Sequence, residues 1–279
     1  MESKYQLAKR IFTNHDLSRI TKKGAIGLGA HGAVKTPVLG EKIYENSLQS
    51  IKNRMDKEDE LDDILDTVLD VKPGKPFEVE AVQLRNEIKE LAELVDDHNP
   101  ETIMEIGTLR GGTFYIWSRY VDSAEHLISV DLPGKGIKKM RDKLLKEFAP
   151  SKEVDVIRGS SHSDKTLEEV EEKVEKVDFL LIDGDHSYEG VKEDFEMYKD
   201  LVAEGGIIAF HDIVPHASHR KEYKERLRSN DDIEEKHVAV GSTNWGVAEF
   251  WDEIEEDYET QEFISHPDQQ GKGIGVIYV

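Results

Sequence analysis

The sequence predicts an α/β protein. The expected form is a three-layer α/β/α sandwich with a mainly parallel sheet, closed by a C-terminal antiparallel hairpin and preceded by an N-terminal helical extension. Three observations carry this. From residue 77 onward, short apolar runs alternate with amphipathic stretches of about 10–15 residues, the pattern of repeated βα units. Two of those runs, Val177–Asp183 (VDFLLID) and Gly205–Asp212 (GGIIAFHD), are almost wholly apolar, as central parallel strands covered on both faces must be. The positions with chemistry to offer, Glu105, Asp131, Gly159, Asp183 and Asp212, recur at strand ends. Right-handed crossovers place those ends on one edge of the sheet, where ligands bind.

The elements follow in order. Residues 1–75 are charged and weakly periodic. Within them, Leu61, Ile64, Leu65, Val68 and Leu69 fall three to four apart, which marks one face of a helix. VKPGKP (Val71–Pro76) then breaks the chain. This region reads as a helical extension or lid (1–75) ahead of a catalytic domain (76–279). Phe77–Asp97 has helical spacing, Thr102–Gly107 (TIMEIG) is a strand and Gly111–Val121 a helix. His126–Leu132 and Val154–Gly159 are strands, each followed by a helix, Ile137–Phe148 and Ser163–Val174. Helix Tyr188–Val202 joins the two apolar strands. Trp245–Tyr258 is helical, and Gln261–Ser265 and Gly273–Val279 are strands that suit a terminal hairpin. At helical spacing, Trp245, Phe250 and Trp251 read as core.

Composition narrows the function. The chain of 279 residues has a formal charge of −22, so unassisted binding to nucleic acid phosphate, which relies on clustered Lys and Arg, is not expected. It has no cysteine, which excludes disulfides, zinc–thiolate sites and thiol catalysis. No apolar run approaches the roughly 18–20 residues that span a bilayer, and MESKYQLAKR has no signal-peptide core. A cytoplasmic enzyme without membrane partners is the expectation.

EIGTLRGGT (Glu105–Thr113) joins the first strand to its helix. Gly107 and Gly111 allow a tight turn and a close approach of backbone to ligand. The helix N-terminus beyond offers free N–H groups to a carboxylate. Asp131 ends the next strand, where its carboxylate can accept both hydroxyls of a ribose. GLGAHG (Gly27–Gly32) also fits G-x-G-x-x-G, but no apolar strand precedes it and no acidic strand end follows about 20 residues later. It reads as a loop; the alternative it would support is an NAD(P)-dependent oxidoreductase.

Asp183, Asp185 and His186 cluster after the fourth strand, and His211 and Asp212 end the fifth. Neighbouring strands lie about 4.8 Å apart, so both clusters face one point. A carboxylate from one strand, with Asp212 and His211 from the next, has the donor set for a divalent cation. A metal lowers the pKa of a hydroxyl, and a histidine is the natural base near neutrality. The segment Ile213–Ser242, with His216, His219 and the basic run Arg220 to Arg228, reads equally as an active-site loop or as a solvated helix.

E-x-G-x-x-x-G with a following Thr, then VDL, LIDGDHSYEGVKEDF (Leu181–Phe195) and IIAFHDI (Ile207–Ile213), resembles the class I S-adenosylmethionine-dependent methyltransferases. The branch is that of macrocin and related sugar O-methyltransferases and cephalosporin-hydroxylase-like proteins. The resemblance spans Phe77–Val279, including GVAEFW (Gly246–Trp251) and the GIGVI strand, and implies a Rossmann-like methyltransferase fold. It implies that Glu105, Gly107 and Gly111, with Thr108 and Gly112 of the same loop, Asp131 and Asp183, hold S-adenosylmethionine, with Ser160 and Ser161 near the adenine. It further implies magnesium on Asp183, His211 and Asp212. His211 stands where relatives carry an acidic residue, which makes manganese or iron thinkable, because imidazole suits them. The base falls at His186 or Asp185, with His186 preferred. The implied reaction is O-methylation of a small polyhydroxylated acceptor, a sugar or glycosylated metabolite. A non-catalytic binding module on the same fold is the other alternative. A helical N-terminal arm can pack on a neighbouring subunit, which allows a homo-oligomer.

Overall fold

In the computed structural model, residues 37–58, 60–70, 79–133, 137–215 and 246–279 are described. The GLGAHG loop, the VKPGKP break with the 75/76 boundary, Trp245 and most of the segment after the fifth strand lie outside them.

Seven strands form one sheet in the order β3-β2-β1-β4-β5-β7-β6. β1 (Thr102–Ile106), β2 (His126–Asp131), β3 (Glu153–Arg158), β4 (Val177–Ile182) and β5 (Val202–His211) run parallel. β6 (Glu259–Phe263) and β7 (Ile274–Tyr278) are antiparallel to each other, and β7 inserts antiparallel beside β5. The expected terminal hairpin is therefore present, with its second strand on the inside.

The helices are α1 (Pro37–Met55), α2 (Leu61–Leu69), α3 (Arg85–His98), α4 (Gly112–Tyr120), α5 (Ile137–Phe148), α6 (Asp164–Glu171), α7 (Tyr188–Tyr198) and α8 (Val247–Ile254). Alternation along each strand divides the core in two. Ile103, Phe179, Leu181 and Ala209 pack with α2, α3, α4 and α5 on one face. Met104, Ile106, Leu180, Ile182 and Phe210 pack with α6, α7 and α8 on the other. Phe250 and Trp251 of α8 are core.

α2 buries Leu61, Ile64, Leu65 and Val68, the face its spacing marks. At roughly 1.5–3 kcal/mol for each fully buried aliphatic side chain, that face ties α2 firmly to the sandwich. A buried polar knot supports it: Glu58 accepts from the Tyr115 hydroxyl at 2.8 Å and from Thr67 Oγ1 at 2.7 Å.

Helical expectations are shortened in more than one place, as where the helix expected over Tyr188–Val202 closes at Tyr198, and most of all ahead of α3. The spacing in Phe77–Asp97 predicts a helix throughout, but α3 starts at Arg85. Residues 79–83 form an extended strap instead, with Val79 and Ala81 buried. Ala81 N–H donates to the Val68 carbonyl of α2 at 3.0 Å. The strap passes so close to the start of α4 that a Cβ at Gly112 would land on the backbone of Glu80 and Ala81. Tertiary contact overrides a weak helical spacing here.

Candidate active site

β1, β4 and β5 are neighbours in register, Ile106 beside Ile182 and Ile182 beside Phe210. The residues that follow each strand therefore emerge together. Gly107 turns with φ 93°, and its N–H donates to the Val130 carbonyl at 2.9 Å. Any Cβ at Gly107 would fall on the carbonyl of Asp183, so the first turn and the end of β4 are in backbone contact. Gly111, at φ 77°, is the N-cap of α4. Thr108 is buried, its hydroxyl 2.7 Å from that of Ser129.

Glu105 sits where strand alternation calls for an apolar side chain. It is fully buried beneath the turn, and accepts from Thr113 Oγ1 and Trp117 Nε1, each at 2.8 Å. Burial pushes its carboxyl up to about 8, against the pull of those two hydrogen bonds. A raised acid stabilises the fold while it keeps its proton. Its contribution is present below pH 4.5 and declines as pH rises towards about 8. The Glu105→Gln protein should lack that decline. Its stability relative to wild type is expected to rise across this window at up to about 1.4 kcal/mol per pH unit, read from urea unfolding at several pH values.

Asp183, at the end of β4, is the hub. Its Oδ1 lies 3.1 Å from His211 Nδ1 and 3.3 Å from His186 Nε2, and its Oδ2 accepts from Gln83 Nε2 at 3.0 Å. Burial alone would raise the carboxyl, but the charge of His211 and the hydrogen bonds of both histidines hold it well below the usual range. Asp212 has a left-handed backbone, φ 68°, a conformation that costs a non-glycine residue on the order of 1 kcal/mol or more and clusters at functional sites. His186 Nδ1 lies 3.1 Å from Asp212 Oδ2, yet neither oxygen of this buried carboxylate has a partner in hydrogen-bonding geometry. The close carboxylates of Asp183 and Asp212 push the His186 imidazole up to about 10.

Ligand atoms of Asp183, His186 and Asp212 lie within 4.8 Å of one another, a donor set suited to a divalent cation. His211 is buried beside them, its Nδ1 3.6 Å from Asp212 Oδ1 and its Nε2 without a partner. The orphaned Asp212 oxygens fit a cation that would satisfy them.

A cavity of about 180 Å³ opens over this cluster, lined by Gly107, Thr108, Asp183, His186, His211 and Asp212, with the strap and Lys272 as further walls. It is smaller than the roughly 300–1,000 Å³ that encloses a whole drug-sized ligand, so it accommodates the reacting end of one. Asp185 does not line it; its Oδ1 accepts from Ser187 N–H at 2.9 Å, at the start of α7. Asp131, Ser160 and Ser161 also lie off the cavity, further along the same sheet edge. Asp131 accepts from Leu132 N–H at 2.6 Å and pairs with Arg158 at 3.4 Å, while the Ser161 carbonyl accepts from Tyr198. Gln83 and Lys272 are site residues that sequence reasoning missed. No local motif marks them, because the strap and the β6–β7 connection bring them in.

Residues 104–213 match the family model described as a methyltransferase domain. The chain carries a methyltransferase domain. A solved structure of a Klebsiella pneumoniae protein assigned to the O-methyltransferases superposes with a TM-score of 0.50 at 17% identity, covering 78% of this chain and 89% of that one. An O-methyltransferase family protein from Burkholderia thailandensis gives 0.50 at 12% identity, covering 68% and 54%. At such identities the likeness is one of fold, and the methyltransferase domain has the class I, Rossmann-like form. An uncharacterised protein of Acanthamoeba polyphaga mimivirus is 29% identical over 114 residues, 40% of this chain. The chain spans about half the length of that curated relative, 51%. Among the described residues, no helix of the methyltransferase domain or its flanks is long and apolar enough to cross a membrane.

Proposed function

We propose that the chain transfers the methyl group of S-adenosylmethionine to a hydroxyl of a small polyhydroxylated acceptor, a sugar or glycosylated metabolite, with a divalent cation at Asp183 and Asp212. The observation that carries this reading is the contact between the Gly107 turn and the Asp183–His186–Asp212 cluster at one cavity. The turn and the N-terminus of α4 suit the methionine end of the cofactor, and Asp131 suits its ribose hydroxyls. Ser160 and Ser161, further along the edge, suit the adenine. When bound, the cofactor supplies an electrophilic methyl group and the cation a Lewis acid for the acceptor oxygen. Asp183 and Asp212 would hold that cation, with the imidazole of His211 beside them. Mg2+ fits the carboxylates, and Mn2+ or Fe2+ the imidazole.

The remaining work falls to the chain's own groups. In the cation-free protein, Asp183 and Asp212 keep a proton on His186. Engaging those carboxylates elsewhere frees the ring to accept the proton of the acceptor hydroxyl. His186 faces the cavity and Asp185 does not, which favours His186 as the base. The strap and Thr108 wall the cavity beside the reacting end.

Calorimetric titration with S-adenosylhomocysteine, with and without Mg2+ or Mn2+, tests the reading, with NADH as control. Micromolar binding that is lost in Asp131→Ala is the expected result. Binding of NADH instead, or of neither ligand, would sink it.

A further inference from the structure

Lys272 reaches the cavity from the β6–β7 connection, and the loop that carries it is anchored from below. Glu87 of α3 is buried. Its Oε1 accepts from Ser265 N–H at 3.1 Å and Gln269 Nε2 at 2.7 Å, and its Oε2 accepts from Gly273 N–H at 3.0 Å. Lys272 itself is left-handed, φ 65°. Its carbonyl accepts from Val214 N–H at 2.8 Å, and the Gly273 carbonyl accepts from Asp212 N–H at 2.9 Å. Two strained residues, Asp212 and Lys272, are thus locked together across a pair of backbone hydrogen bonds. Strain of this kind persists only where the surroundings enforce it, and it collects at ligand clamps. The ammonium lies 3.8 Å from Asp212 Oδ1, and among the described residues Lys272 is the one lysine or arginine lining the cavity.

Charge balance shows what that ammonium is for. This step rests on the methyltransferase reading. A divalent cation would use up the charges of Asp183 and Asp212. The sulfonium and Lys272 then leave two positive charges at the reacting end, since the cofactor's own carboxylate and amine offset each other. Ionisation of the acceptor hydroxyl answers neither in net charge, because its proton stays in the site on His186. Glu105, beneath the turn, does not answer them either, because burial keeps it protonated near neutrality. The chain as a whole, at −22, repels anions, and salt screens that repulsion beyond about 8 Å, so a fixed cation inside the cavity can still select one. We propose that Lys272 is a specificity-determining residue, whose ammonium binds a carboxylate on the polyhydroxylated acceptor, and that the acceptor is accordingly an acidic sugar or sugar acid.

The test is calorimetry on the full chain loaded with S-adenosylhomocysteine and Mg2+, comparing D-glucuronate with D-glucose, two probes that differ by a carboxylate. Glucuronate is expected to bind at least about 10-fold tighter, the scale of a hydrogen bond to a charged group. Lys272→Met should abolish the difference, weakening glucuronate far more than S-adenosylhomocysteine, and Lys272→Arg should retain most of it. A merely structural lysine would move the midpoint and the nucleoside affinity without changing the ratio between the sugars. Equal binding of the two sugars, including no detectable binding of either, or a preference that survives Lys272→Met, would overturn the proposal. If wild type fails to bind S-adenosylhomocysteine, the methyltransferase reading falls first and takes this one with it.

Discussion

On the proposed function, Asp183→Asn is expected to cost divalent-cation binding, turnover and the high pH at which His186 gives up its proton. Removing a supporting partner of a metal ligand typically costs about 10–100-fold in affinity, so losing a ligand carboxylate should cost more than about 100-fold. Mn2+ binding followed by electron paramagnetic resonance reads this directly. The effect on the cation-free protein follows from the same contacts. Asp183 gives His186 one of its two carboxylate partners, and His211 its hydrogen bond at 3.1 Å. In wild type, the raised imidazole contributes stability that is fully present below pH 6.5 and lost as pH rises to about 10. The depressed Asp183 carboxyl contributes stability present above pH 3.8 and lost as pH falls below it. Both contributions are therefore in place between pH 3.8 and 6.5, and the variant should fall furthest below wild type there. Breaking a buried pair from one side costs about 3–5 kcal/mol. Part of Asp183 still meets solvent, so about half of that is a fair expectation. His186 ring resonances in the variant should titrate well below the wild-type position. An unchanged His186 titration would mean that Asp212 alone holds the proton, and Asp183 would lose its place as the hub.

Much of this arrangement is legible in the sequence, for physical reasons that differ from residue to residue. VDFLLID and GGIIAFHD are readable because a central parallel strand must be apolar on both faces. Asp183 and Asp212 stand out because each interrupts such a run where the strand leaves the sheet. Glu105 is readable as a site residue by its place in the glycine turn, but not its neutral, buried state, which depends on Thr113 and Trp117 arriving from α4. The strap is not readable. Its residues carry a helical spacing, and only the contact with Val68 and the start of α4 holds 79–83 extended. Gln83 meets Asp183 across that strap, and Lys272 meets Asp212 across the β6–β7 connection. Both pairings are set by loop geometry with no periodic signature. The orientation of Asp185 is likewise local: a turn at the N-cap of α7 takes its carboxylate away from the cavity.

Gly107→Ala carries the second large expected effect, and it separates the shape of the site from its charge. The substitution adds no polar atom and removes none. It places a methyl group on the Asp183 carbonyl while the backbone sits at φ 93°. Left-handed backbone costs a residue with a Cβ roughly 1–2 kcal/mol, and overpacking against rigid neighbours adds about 1–3 kcal/mol. Relief requires the turn to move away from β4, which breaks the hydrogen bond from Gly107 N–H to the Val130 carbonyl and shifts Thr108 off Ser129. The Gly107 turn and the Asp183–His186–Asp212 cluster then separate. S-adenosylhomocysteine affinity is expected to fall by at least about 100-fold, equivalent to roughly 2.7 kcal/mol. Stability should drop by at least about 2 kcal/mol in urea unfolding. The cation cluster itself keeps all its donors, so Mn2+ binding should weaken far less than nucleoside binding. Equal losses for both ligands would show that the turn and the cluster are one rigid unit, in which no displacement of Gly107 leaves Asp183 in place. Full retention of nucleoside binding would mean that the methionine end of the cofactor does not lie on this turn.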